Sequence, residues 1–135
     1  MRDMNLYDKL TSLLTHIMSE TIYTSEINRK HKYNLSDIKD FLDDNYLNNI
    51  SLNMLSNKFY INKFYLTRAF KETYGLTINN YILQKKITKS KELLRFSDMN
   101  IDDISRECGI DDSNYFSRIF KKIEGISPRE YKRMW

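Results

Sequence analysis

Arg68 and Arg118 are the residues best placed to do chemistry in this sequence, standing fifty positions apart in matching surroundings. Each is followed three residues later by a lysine, Lys71 and Lys121. At about 100° per residue, Phe64, Thr67, Arg68 and Lys71 share one face of a helix, and Asn114, Ser117, Arg118 and Lys121 share the matching face of a second. On the opposite sides lie Leu66, Ala69, Phe70 and Thr73, and Phe116, Ile119, Phe120 and Ile123, the expected buried stripes. Neither outward face contains an acid. A guanidinium can fork onto guanine, hydroxyl and amide groups can meet other base edges, and lysine can meet phosphate. One arginine–lysine face is ordinarily just a solvated surface. Its recurrence at the same place in two helices points to double-stranded DNA.

Other chemistries do not assemble. No serine, cysteine or paired carboxylates stand beside a usable histidine, and there is no glycine-rich phosphate loop, so no enzyme, cofactor or metal site is expected. His16 and His31 lie fifteen positions apart without a partnering carboxylate motif and are expected at a surface or interface. The single cysteine, Cys108, excludes an internal disulfide and a multi-cysteine zinc site and fits a reducing cytoplasm. Apolar runs do not exceed four residues, so no membrane span is expected, and Met1 to Asp8 holds no apolar block of signal-peptide length. The net charge of +4 and pI near 9.1 suit a polyanionic partner without requiring one.

The elements that must hold the two faces emerge from an internal repeat. An offset of fifty pairs Tyr65, Phe70, Gly75, Thr77 and Tyr81 with Tyr115, Phe120, Gly125, Ser127 and Tyr131. Upstream the offset is forty-nine, pairing Leu52, Leu55, Ser56 and Phe59 with Ile101, Ile104, Ser105 and Cys108, so the second turn is one residue longer. Cys108 thus stands where Phe59 stands and reads as a core filler. Tyr81 and Tyr131 read as packing residues against their own modules. With three glycines and one proline in 135 residues, the expected class is all-α.

Each copy reads as a short helix, a tight turn, a second helix and a glycine stop. Ser51 caps the first copy, whose Leu52, Leu55 and Phe59 form a stripe; the turn is Tyr60 to Asn62, with Asn62 capping a helix that runs to about Tyr74. In the second copy Ile101, Ile104 and Cys108 form the stripe, Gly109 to Asp112 the turn and Gly125 the stop. The final helix, 127–134, opens with Ser127 as cap, Pro128 at the first helical position and Glu130 closing a capping box. The helix-turn-helix units span about 51–74 and about 100–124. Between them one long helix over about 77–95, roughly 28 Å at about 1.5 Å per residue, carries Leu83, Ile87, Ser90 and Leu94 in one row. Ahead of the first copy, Ser36 is expected to cap a helix that turns Ile38, Phe41, Leu42 and Tyr46 inward. Residues 1–33 read as a leader: Leu6, Leu10, Leu13, Leu14 and Ile17 make an extra amphipathic N-terminal helix, a possible dimerisation element, before a polar linker.

From about Leu35 to Trp135 these residues resemble the DNA-binding domain of the AraC/XylS family of bacterial transcription regulators. The most specific piece is Tyr115-Phe116-Ser117-Arg118-Ile119-Phe120-Lys121-Lys122 followed by Gly125-Ile126-Ser127-Pro128-Arg129-Glu130-Tyr131. The resemblance implies seven helices, with a domain over 34–135 whose two recognition helices enter successive major grooves. It implies base contacts by Phe64, Thr67, Arg68, Ser113, Asn114 and Arg118; phosphate contacts are assigned to Lys63, Lys71, Lys86 and Lys121. An activator working with RNA polymerase in the cytoplasm is the implied role, with a homodimer formed through the leader or an upstream sensory domain. The pattern departs at Lys85, Lys86 and Ser90, where the family commonly shows arginine and alanine; lysine there loses the forked geometry. The competing reading is a helical protein–protein interaction module, such as an anti-activator, using the same fold without DNA.

Overall fold

The computed structural model describes residues 34–135, and the expected leader helix, with His16 and His31, lies outside the described residues. These residues form seven helices: α1 (Leu35–Asn45), α2 (Leu52–Phe59), α3 (Lys63–Tyr74), α4 (Ile78–Phe96), α5 (Ile101–Glu107), α6 (Ser113–Glu124) and α7 (Pro128–Arg133). No strand occurs among the described residues. The described residues divide into two compact units: 34–41 with Ile50–Gly75, and Leu42–Asn49 with Leu76–Trp135.

In the first unit α2 starts where the Ser51 hydroxyl oxygen accepts from the Met54 N–H at 3.0 Å. It ends at Tyr60, which adopts a left-handed φ of 55°. The turn is closed twice between the same two residues: the Ile61 N–H donates to the Ser56 carbonyl at 3.1 Å and the Ser56 hydroxyl donates to the Ile61 carbonyl at 2.6 Å. Asn62 then caps α3, its side-chain oxygen accepting from the N–H groups of Phe64 at 2.8 Å and Tyr65 at 3.0 Å. Ile38, Leu55, Phe59, Ile61, Leu66 and Phe70 are buried, and Phe41 meets Phe59 edge-on with ring centres 5.7 Å apart.

The second unit repeats this device. The Ile110 N–H donates to the Ser105 carbonyl at 2.9 Å and the buried Ser105 hydroxyl donates back to the Ile110 carbonyl. Gly109 takes the left-handed position that Tyr60 holds in the first turn, and Asp112 caps α6. Ile87 and Leu94 of α4 close over Ile104, Cys108, Ile110, Phe116 and Phe120, with Tyr131 of α7 edge-on to Phe120 at 5.6 Å. A fully buried phenylalanine contributes about 1.5–3 kcal/mol, so Phe116 and Phe120 anchor this core. The capping box of α7 is present: the Glu130 N–H donates to the Ser127 hydroxyl oxygen at 3.1 Å, and the Ser127 N–H to the Glu130 carboxylate at 2.9 Å. The Glu130 carboxyl is held below its usual range, first by the Ser127 backbone bond.

Several expectations need correction. Asn34, not Ser36, caps α1: its side-chain oxygen accepts from the Asp37 N–H at 3.1 Å, and the Asp37 carboxylate accepts from the Asn34 N–H at 3.2 Å. Asparagine caps as well as serine, and the acid three residues on makes the arrangement reciprocal. Ser36 falls in the first turn and donates to the Asn34 side chain at 2.7 Å. Thr73 and Ile123 are exposed rather than buried, Ile123 at 38%. In α3 and α6 the inward row runs Leu66, Phe70, Tyr74 and Phe116, Phe120, Glu124, an i, i+4, i+8 ridge, so the i+7 position swings outward. In α4, Ile78 and Ile82 are buried with Ile87, Ser90 and Leu94, while Leu83 is only half-buried against the second core. Tyr131 packs as expected, and Tyr81 donates its hydroxyl to Asp43, which also pairs with Lys85 at 3.3 Å. No helix among the described residues is long and apolar enough to cross a membrane.

Candidate nucleic-acid interface

Capping by Asn62 and Asp112 sets the phase of α3 and α6, so residues five and six positions after each cap lie opposite the buried ridge. On α3 the structure brings Lys63, Phe64, Thr67 and Arg68 together with Ser51, Leu52 and Asn53 of the α2 start, around an open groove of about 590 Å³. Phe64 is 66% exposed, a high value for phenylalanine. The Lys63 ammonium lies 5.6 Å from the Phe64 ring centre and donates to the Asn53 side-chain oxygen at 3.3 Å. The Thr67 hydroxyl donates back to the Lys63 carbonyl at 2.9 Å, which leaves its lone pairs and methyl for a partner. The side chains of Arg68 and Lys71 are exposed and make no hydrogen bond or ion pair among the described residues, so an incoming anion breaks no internal side-chain bond.

On α6, Asn114, Arg118 and Lys121 are exposed and Ser113 and Ser117 half-buried. The Arg118 guanidinium lies 6.0 Å from the ring of Tyr115, which is 41% exposed. Lys86 is half-buried on α4 and donates to the Gly109 carbonyl at 3.2 Å, in the turn that precedes α6. Three residues escaped the sequence reading. Asn53 walls the α3 groove, and its place two positions after the Ser51 cap was the available signal. Tyr115 backs Arg118; its match to Tyr65 in the repeat had marked it without revealing its exposure. Glu72 is an exposed acid four residues beyond Arg68, at the rim of a face read as free of acids.

A family model described as a helix-turn-helix domain matches residues 55–134. The chain belongs to the AraC-type helix-turn-helix family. Among the family's transcriptional activators, RhaR of Cronobacter sakazakii is 39% identical over 66 residues, covering 49% of this chain and 23% of RhaR. The match therefore spans about a quarter of the length of the curated relative. The C-terminal domain of the two-component response regulator yesN from Fusobacterium nucleatum is similar with TM-score 0.67 and 32% identity, over 72% of this chain and 95% of that one. The C-terminal domain of AraT, a response regulator from Geobacillus stearothermophilus, is similar with TM-score 0.68 and 25% identity, over 83% of this chain and 88% of that one. The AraC-type fold expected from the sequence, all-helical with two helix-turn-helix units, is the fold of the described residues.

Proposed function

We propose that this chain binds double-stranded DNA sequence-specifically and regulates transcription, with α3 and α6 as the helices that enter the major groove. The observation that carries the reading is the recurrence of an exposed arginine–lysine pair whose side chains make no hydrogen bond or ion pair among the described residues, Arg68 with Lys71 and Arg118 with Lys121, on helices phased by equivalent caps. Phe64, Thr67 and Arg68 on one helix and Ser113, Asn114 and Arg118 on the other are the base-reading set, and Lys63, Lys71 and Lys121 the phosphate-binding set. Lys86 is the weakest member, because its ammonium already serves the Gly109 carbonyl. Activation through RNA polymerase, in the cytoplasm and as a homodimer, completes the reading; the activator relative supports activation alone.

Selecting bound duplexes from a random pool and titrating the winner against salt tests this. Specific binding whose affinity falls steeply between about 50 and 200 mM salt is expected. A chain that retains no duplex at about 50 mM salt overturns it. A second reading, a protein-docking module, is favoured by exposed Phe96, Met134 and Trp135. It predicts affinity for a protein partner that survives high salt while duplex binding is absent.

A further inference from the structure

The two helix-turn-helix units share their clamps and caps but not their charge. Ser51 to Gly75 holds Lys58, Lys63, Arg68 and Lys71 against Glu72 alone, a formal +3. Asn100 to Gly125 holds four bases but six acids, Asp102, Asp103, Glu107, Asp111, Asp112 and Glu124, a formal −2. All but Glu124 of these six are exposed. Glu124 is half-buried and pairs with Lys91 at 3.3 Å, and Asp103 pairs with Arg106 at 2.5 Å.

The difference is sharpest at the start of the reading helices. Where the first unit has Asn62 as cap followed by Lys63, the second has Asp112 as cap followed by Ser113, with Asp111 inserted just ahead of it. Asp112 has a structural duty, accepting from the Asn114 N–H at 2.9 Å and the Tyr115 N–H at 3.3 Å. Asp111 has none: it is exposed, without a hydrogen bond or ion pair among the described residues. It is also the residue by which the second turn exceeds the first, since Ile61 matches Ile110 and Asn62 matches Asp112.

Resting on the DNA reading above, we infer that Asp111 and Asp112 are specificity determinants that penalise generic DNA. The N-terminal end of a recognition helix is the end that approaches base edges and the flanking phosphates. A carboxylate there repels phosphate wherever the unit docks, and only a sequence whose base contacts offset that repulsion holds the unit in place. The first unit, with no acid on α2, its turn or the first turn of α3, supplies the sequence-independent attraction. The second is admitted on the strength of its base contacts.

The test compares the full chain with Asp111→Asn and with Asp111→Asn/Asp112→Asn, against a random 30-base-pair duplex and the duplex selected by the wild-type chain. Asparagine keeps the cap at position 112, and Asp111→Asn alone touches no internal bond. The expected result is random-duplex binding tightened about threefold by the single and about tenfold by the double change, with a steeper salt slope. Selected-duplex binding should tighten less, so that discrimination falls. Variants that bind random duplex no tighter than wild type, or that gain equally on both duplexes, overturn the inference. Wild-type chain that retains neither duplex overturns the DNA reading and the inference with it.

Discussion

Tyr60 occupies in the first turn the left-handed position that Gly109 occupies in the second, at φ of 55° and 83°. The two sites differ in the room around them. A Cβ at Gly109 would stand 3.3 Å from the Leu47 carbonyl oxygen and 3.3 Å from the Lys86 side chain, whereas Tyr60 is half exposed. Gly109→Ala is therefore expected to cost about 1–3 kcal/mol of stability. Tyr60→Gly should change it by less than about 1 kcal/mol, because relief of the left-handed strain offsets the added freedom of the unfolded chain. Urea denaturation of both variants measures this; a Gly109→Ala loss well under about 1 kcal/mol would show that the turn yields and that the Leu47 contact does not decide it.

The serine clamps differ in depth, and their removal should differ accordingly. Ser105 is fully buried, so Ser105→Ala leaves the Ile110 carbonyl short of a partner away from water and should cost about 1–3 kcal/mol. Ser56 is only half-buried, and water can replace its hydroxyl at Ile61. Thermal melts should rank Ser56→Ala as the milder change.

Arg68→Ala and Arg118→Ala should each weaken binding to a selected duplex by about 1–3 kcal/mol and relax base preference in a different part of the site. Repeating the selection with each variant reads this directly. Preferences that weaken evenly over the whole site would assign both arginines to phosphate.

Burial pushes the Cys108 thiol up from 9.0 to about 11, with Lys89 and Lys86 pulling weakly the other way. An acid whose folded value is raised keeps its proton in the folded state while the unfolded chain loses it. Its contribution to stability is thus complete below about pH 9 and lost as pH rises toward about 11, on the order of 3 kcal/mol in all. Cys108→Ala should flatten this part of the stability profile, and a thiol reagent at pH 8 should label the folded chain far more slowly than the unfolded one.

Much of this was legible in the sequence because short-range rules set it. Asn62, Gly75, Gly125 and the Ser127–Glu130 box lie within four residues of the groups they bond, so spacing alone located the ends of α3, α6 and α7. The Ser56–Ile61 and Ser105–Ile110 clamps span five residues and appeared only as a matched pair of serines in the repeat. What failed depended on packing angle. The wheel that placed Thr73 and Ile123 inside assumes a stripe parallel to the helix axis, and the oblique ridge through Phe70 and Phe120 cannot be read from one helix. The Lys86 bond was hidden for a similar reason: nothing local announces that a lysine on α4 will bond a carbonyl twenty-three residues later.

Clamp and cap keep different registers, forty-nine residues apart for Ser56 and Ser105 but fifty for Asn62 and Asp112, and Arg68 and Arg118 each stand six residues after their own cap. An insertion between clamp and cap therefore leaves the reading face where it was. One between cap and glycine would rotate every later side chain by about 100°. The turn is the place where this lineage can gain or lose a residue without rewriting what its helices present, and the length difference between the two copies is a tolerated instance of it.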